Sequence, residues 1–224
     1  MKILFVIPRN KSLFGDEVNI TGIPHVGIAY LASFLKQHGF DVGVYDDGIE
    51  HSVPRLIEKI KIFNPDVVGI TIFSYSYSSA RDLIKAITDS FKIPIVVGGA
   101  HVSAIVVKIL EKDKIDFAVK KEGEFTLLEL LNEIKNNTKQ FGRIPGLIWR
   151  DDGKILENKD RPYIRELDSL PFPDYGVFDI KNYACYKYKT LPVITSRGCP
   201  FGCNYCSVRI SMGQGFRPRS AENV

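Results

Sequence analysis

The sequence predicts an α/β fold built on a doubly wound, five-stranded parallel sheet, and three observations predict it. Short apolar runs rich in Ile and Val recur along residues 2–120, separated by amphipathic stretches. Those runs are continuous rather than alternating, as expected of strands covered on both faces. Turn formers punctuate nearly every change from one kind of segment to the other.

The strands are "KILFVIP" (2–8), "DVGVYD" (41–46), "DVVGITIF" (66–73), "IPIVVGG" (93–99) and "IDFAVK" (115–120). In "GIAYLASFLKQHG" the apolar residues Ile28, Leu31, Phe34 and Leu35 fall at helical spacing, with Gly39 as the stop signal. "SVPRLIEKIKIF", "SSARDLIKAITDSF", "VSAIVVKILEK" and "EFTLLELLNEIKNN" have the same periodicity, and several open on Ser or an acidic residue. Right-handed crossovers then give a Rossmann- or flavodoxin-like unit over residues 1–142. "GLIWRDDGKILEN" (146–158) reads as a β-hairpin around Asp151-Asp152-Gly153. With the proline-bearing "LDSLPFPDYGVFD" it makes residues 143–190 a hairpin and linker. "LPVITS" (191–196) starts a new strand, and a third unit spans 191–224.

Composition is that of a globular chain: 45% hydrophobic, 25% charged, net charge +4. No basic run suggests a nucleic-acid partner, and no apolar run is long enough to span a bilayer. Pro8 and Arg9 interrupt the first apolar run too early for a signal peptide. These features lead to a cytoplasmic expectation, where clustered cysteines more often bind metal than pair.

Three of the four cysteines, Cys199, Cys203 and Cys206, lie within "TSRGCPFGCNYCS" (195–207). Gly198, Pro200 and Gly202 argue for a loop wrapped around one object rather than a helix. Thiolates select iron–sulfur clusters, zinc or copper(I). A zinc site would need a fourth ligand, which Cys185 could supply. A four-iron cluster held by three cysteines would leave one iron open.

C-x3-C-x2-C with an aromatic before the last cysteine resembles the radical S-adenosylmethionine superfamily. The fuller stretch resembles its subgroup with an N-terminal cobalamin-binding domain. "GIPHVGIAYLASFLKQHGFDVGVYD", "PDVVGITIFSYSYSSARDLIKAI", "IPIVVGGAHVSA", "VKKEGEFTLLELL" and "LDSLPFPDY" resemble successive segments of the same subgroup. The resemblance implies a [4Fe-4S] cluster on Cys199, Cys203 and Cys206, with Tyr205 against the adenine of S-adenosylmethionine. The reduced cluster would cleave that sulfonium to release a 5′-deoxyadenosyl radical. It also implies cobalamin at Pro8, Ser74, Tyr75, Gly98, Gly99, His101, Glu122, Gly123 and Glu124, which fall at the carboxyl ends of strands, where α/β sheets bind ligands. Ser74 would hydrogen-bond the nucleotide tail or corrin amides.

The mutase-type D-x-H-x-x-G motif is absent, so His25 reads as a helix-start or surface histidine and cobalamin would bind base-off. Lys121 could crowd the cofactor. The first strand–helix loop lacks G-x-G-x-x-G, which argues against NAD. Arg217 and Arg219 resemble the family's "R-x-R-S" segment, and "GQGFRPRSAENV" reads as the start of a helix. The stretch beyond Thr190 is too short for a (β/α)8 barrel, so the third unit is expected to be the truncated start of one, inactive by itself. An intact enzyme would transfer a methyl group to an unactivated centre, drawing electrons from a flavodoxin- or ferredoxin-type donor; its small-molecule or peptide substrate is not legible. Radical cyclisation, a stand-alone cobalamin module and a zinc-stabilised interaction module are the alternatives.

Overall fold

The computed structural model describes residues 1–10, 22–105 and 107–224. In chain order these form β1 (Lys2–Ile7), α1 (Val26–Gln37), β2 (Asp41–Asp46), α2 (Asp47–Glu50), α3 (Val53–Phe63) and β3 (Val67–Thr71). They continue through α4 (Tyr77–Ser90), β4 (Ile95–Gly98), α5 (Ala100–Ile105), α6 (Val107–Lys112), β5 (Phe117–Val119) and α7 (Glu124–Asn136). After them come β6 (Leu147–Asp151), β7 (Lys154–Glu157), α8 (Ala184–Tyr188), β8 (Ser196–Arg197), α9 (Val208–Ser211) and β9 (Arg217–Pro218).

The main sheet has the order β2-β1-β3-β4-β5-β6-β7, with β1 to β5 parallel. Its parallel part, 2-1-3-4-5, is the flavodoxin order. Both faces are covered, and β1 makes the reason plain. Ile3, Phe5 and Ile7 join the core under α1 and α7, with Leu35, Leu130 and Leu131, whereas Leu4 and Val6 join the core under α3 and α4, with Leu56 and Leu83. Successive side chains on a strand point to opposite faces, so an uninterrupted apolar run feeds two cores at once.

Local chemistry ends the helices where expected. Ser52 Oγ accepts from the Arg55 amide at the start of α3, and Asn64 closes it in the left-handed region. α1 starts on a less common cap: His25 Nδ1 accepts from the Ile28 amide at 3.2 Å. The helix-start reading of His25 therefore holds.

The hairpin is not a separate connecting element. Its first strand pairs antiparallel with β5 (Phe117↔Trp149, Ala118↔Ile148, Val119↔Leu147), so the sheet has seven strands rather than five. β5 would otherwise present an unpaired edge, and the fully buried Leu147 and Ile148 continue the core across it. Asp152 (φ 44°) and Gly153 (φ 80°) form the two-residue turn.

The linker is a packed strap. Leu167, Leu170, Phe178, Tyr183 and Cys185 are buried. The strap is tied back through Asp174 N to Ala29 O at 3.0 Å and Cys185 N to Gly22 O at 2.7 Å. The strand expected over 191–196 is reduced to Ser196–Arg197, which pairs antiparallel with Arg217–Pro218. That pairing also corrects the helix expected within 213–224: Arg217 and Pro218 are extended, and Asn223 and Val224 only turn back to the Ser220 carbonyl. Among the described residues no helix is long and apolar enough to cross a membrane.

Candidate functional site

The carboxyl ends of β3 and β4 meet a group of aromatic and imidazole side chains. After β3 the chain enters a short 3-10 turn, Ser74–Ser76. Here Phe73 and Tyr75 stack with ring centroids 5.2 Å apart, and Phe73 also lies 5.5 Å from the His25 ring. Tyr75 is 58% exposed, so this stack is a shelf open to solvent rather than core. His25 Nε2 lies 3.4 Å from Thr71 Oγ1. With Nδ1 accepting from the helix, Nε2 carries the proton, and burial lowers the His25 pKa to about 4.

β4 ends on Gly98, and Gly99 adopts φ 105° before α5 begins. A Cβ on Gly99 would sit 2.8 Å from the Ile72 carbonyl oxygen, so glycine is required by close approach of two backbones. Gly98 meets nothing closer than 3.7 Å. The crossing at Gly99 puts His101 in place: its amide donates to Ile72 O, its Nδ1 lies 2.9 Å from Ser74 Oγ, and its ring packs on Tyr77. Its Nε2 is buried without a hydrogen-bond partner. Burial lowers the His101 pKa, so the ring is neutral at pH 7. An orphaned imidazole nitrogen beside a hydroxyl and an aromatic shelf suits a large ligand that brings its own amide groups. Pro8, buried, follows the end of β1 on the same edge.

The turn after β5 does something else. Glu122 accepts from Arg197 Nη1 (3.1 Å), from Arg217 Nη1 (2.9 Å) and from the Ile164 amide (2.8 Å). Glu124 accepts from Arg197 Nη2 at 2.6 Å. Both carboxylates and the Arg197 guanidinium are buried, and Arg217 nearly so. Burial works against the Arg197 charge, but Glu124 and Glu122 outweigh it and hold the group above its ordinary pKa. Glu122 and Glu124 are thus bonded to the segment that carries the cysteines. Gly123 lies beneath Leu31, 3.5 Å from where its Cβ would be. Lys121, which could have crowded the shelf, turns to Asp160 (2.6 Å) and lies over the Tyr163 ring; Lys120 pairs with Glu157 and Asp160.

The cysteine loop leaves β8 directly. Gly198 (φ 80°) fits because a Cβ there would strike Gly215 O, and the Cys199 amide donates to Gly213 O at 3.2 Å. The Cys206 amide donates back to Cys203 O, and α9 closes the loop and packs on α5. Cys203 is exposed and Cys199 and Cys206 partly so, all as free thiols. Tyr205 is 93% exposed and has no part in the core. Among the described residues no three His, Cys, Asp or Glu converge tightly enough for a single metal ion. A multi-iron cluster, which takes each thiolate on a different iron, does not need them to. Cys185 sits in the first core with Phe178 and Tyr183, only 3% exposed. It packs there as a core residue.

Sequence reasoning did not find Arg197 as the partner of Glu122 and Glu124, or His25 at the strand ends. Arg197 lies 75 residues from Glu122, and nothing in spacing links them. For His25, the apolar periodicity starting just after it was the available signal.

Residues 21–131 match the family described as B12 binding domain. Over 229 residues the chain is 35% identical to the uncharacterized methyltransferase PH0819 of Pyrococcus horikoshii, covering 100% of this chain and 49% of that protein. It is 31% identical to the anaerobic magnesium-protoporphyrin IX monomethyl ester cyclase of Cereibacter sphaeroides, covering 100% of this chain and 37% of the cyclase. The chain therefore spans about half or less of the length of these relatives. Among solved structures it is similar to the cobalamin-dependent S-adenosylmethionine radical enzyme OxsB, with a TM-score of 0.80 and 21% identity over 99% of this chain and 30% of that one. Residues 21–131 are thus a B12-binding domain that leads through the strap into the cysteine loop, and the chain as a whole is homologous to part of longer proteins described as a methyltransferase and a cyclase.

Proposed function

We propose that this chain binds cobalamin beyond the carboxyl ends of its parallel strands and a [4Fe-4S] cluster on Cys199, Cys203 and Cys206. The protein of which such a chain is part would use both with S-adenosylmethionine for methyl transfer to an unactivated carbon or phosphorus centre. The observation that carries this reading is the packing of α9 on α5. It joins the end of the cysteine loop to the helix that presents His101.

His101 Nε2 and Ser74 Oγ would hold amide or nucleotide groups of cobalamin, the Phe73–Tyr75 stack would support its flat face, and Gly98 leaves room for its approach. Gly99 and Pro8 shape that edge through the backbone. Cys199, Cys203 and Cys206 would bind three irons as thiolates, with Tyr205 free to lie on an adenine. When bound, the cofactors supply reductive cleavage of S-adenosylmethionine and methyl carriage, and the chain orients them and excludes water. Electrons would come from a flavodoxin- or ferredoxin-type donor in a reducing cytoplasm, where exposed thiols persist. Glu122, Gly123 and Glu124 are not needed as cofactor contacts on this reading. Radical cyclisation is the second reading, favoured by the identity to the magnesium-protoporphyrin cyclase.

Anaerobic reconstitution with iron and sulfide, followed by hydroxocobalamin titration, tests the proposal. About four irons per chain are expected, lost in Cys199→Ser, together with one cobalamin whose affinity falls in His101→Ala. Uptake of cobalamin without iron would leave only a cobalamin-binding module.

A further inference from the structure

β8 and β9 pair over only two residues each, and so short a ladder is not stable by itself. Yet the cysteine loop begins one residue beyond β8. Its direction depends on what holds Arg197, two positions before Cys199. Arg197 bridges Glu122 and Glu124, its register partner Arg217 reaches both oxygens of Glu122, and Arg219 lies over the rings of Tyr30 and Phe172 and bonds to Leu170 O. On the far side, the same turn after β5 is tied to the helix that carries His101: the Lys121 amide donates to Ser103 Oγ at 2.8 Å, and the Ser103 amide donates to Gly99 O. A continuous set of polar contacts therefore runs from Gly99, just past β4, through residues 121–124, to the base of the cysteine loop.

We propose that Arg197, held by Glu122 and Glu124, is a positioning residue that sets the cysteine loop against the B12-binding domain. The carboxylates after β5 thus serve the cysteine loop rather than cobalamin. The functional meaning rests on the cysteines being cluster ligands, but the geometry and its first test do not.

Arg197 is suited to this work because a guanidinium presents parallel donors in a rigid plane and can satisfy two carboxylates at once. A lysine would keep the charge and lose the fork. A merely stabilising pair would resist global unfolding equally throughout the molecule. A positioning contact has a local signature at the amides it holds, Cys199 N on Gly213 O and Arg219 N on Thr195 O.

The test uses the iron-free chain with Arg197→Lys, Glu124→Gln and, as a control variant of an ion pair on α4, Asp89→Asn. Hydrogen exchange at residues 198–219 and alkylation rates of Cys199, Cys203 and Cys206 are compared with exchange in β1 and β3. Arg197→Lys and Glu124→Gln are expected to speed exchange at Cys199 and Arg219 at least about tenfold, the low end for loss of a hydrogen bond to a charged group. β1 and β3 should stay protected, and Asp89→Asn should leave the loop unchanged. After reconstitution, Arg197→Lys should shift the electron paramagnetic resonance signal of the reduced cluster while hydroxocobalamin affinity stays at the wild-type value. Unchanged loop exchange, or an equal rise in β1 and β3, would overturn the inference. So would a fall in cobalamin affinity with the cluster signal unmoved. A wild-type chain that takes up no iron would sink the proposed function and leave the exchange result to decide this one. Should Glu124→Gln fail to fold, Arg197→Lys carries the test.

Discussion

The Tyr183 hydroxyl donates a 2.6 Å hydrogen bond to Asp46 Oδ2, joining the strap to the end of β2 across 137 residues of sequence. Both groups are buried, and Asp46 Oδ1 accepts from the Gly48 amide. Burial raises the Asp46 pKa above the usual carboxylate range, and the bonds from Tyr183 and Gly48 only partly offset that rise. The strap is therefore docked on a carboxylate that is costly to ionise.

Tyr183→Phe leaves that carboxylate with one partner fewer and should cost about 1–3 kcal/mol, lowering Tm by roughly 2–10 °C. Because the folded pKa of Asp46 lies above its unfolded value, the folded state binds more protons, and stability falls as pH rises from about 4 through the raised value. Removing the Tyr183 bond lifts the folded pKa further. The penalty should thus be larger at pH 7 than at pH 4, as read by urea denaturation at both. An equal penalty at the two pH values would show that Asp46 is neutral throughout.

His25 has the opposite sign. Its folded pKa of about 4 lies below the unfolded value of 6.5, so stability is fully present above 6.5 and lost as pH falls toward 4. His25→Asn, which keeps a capping acceptor, should flatten the stability–pH curve in that window by about 1–3 kcal/mol. An unchanged slope would mean that the imidazole titrates normally.

Gly99→Ala places a Cβ against the Ile72 backbone at φ 105°. It should destabilise by at least about 1–3 kcal/mol, and Gly98→Ala, which meets only ordinary contacts, should cost less. The same change displaces His101, so cobalamin affinity should fall more with Gly99→Ala than with Gly98→Ala. Visible titration with hydroxocobalamin measures the order, and the reverse order would separate the turn from the ligand.

Cys185→Ser puts a hydroxyl into an apolar core and should cost about 1–3 kcal/mol while iron uptake is unaffected. Cys199→Ser, Cys203→Ser and Cys206→Ser should do the reverse, abolishing the cluster with little change in Tm. Iron per chain and thermal melts, measured on all four, check this. Loss of iron with Cys185→Ser would contradict the packing role.

The parallel strands and their helices were legible in the sequence because each apolar run is long enough to feed two cores and each helix carries its own stop. The hairpin was legible as Asp152-Gly153, but its place in the sheet was not. Pairing with Val119 is a matter of which edge stands open, and no local pattern encodes that. That Cys199, Cys203, Cys206 and Tyr205 share one loop was equally plain, since they are contiguous in sequence.

Residue chemistry and local spacing by themselves determined the parallel strands, their main helices, the strand-end edge and the thiol loop. Tertiary structure alone decided that Cys185 is core, that His25 lies against Phe73 and Thr71, and that Glu122 and Glu124 face Arg197 and Arg217. The physical reason is that a carboxylate looks the same in a sequence whether it will meet a cofactor or a guanidinium. Only folding brings residues 75 positions apart to within 3.1 Å and removes the water that would otherwise have served both.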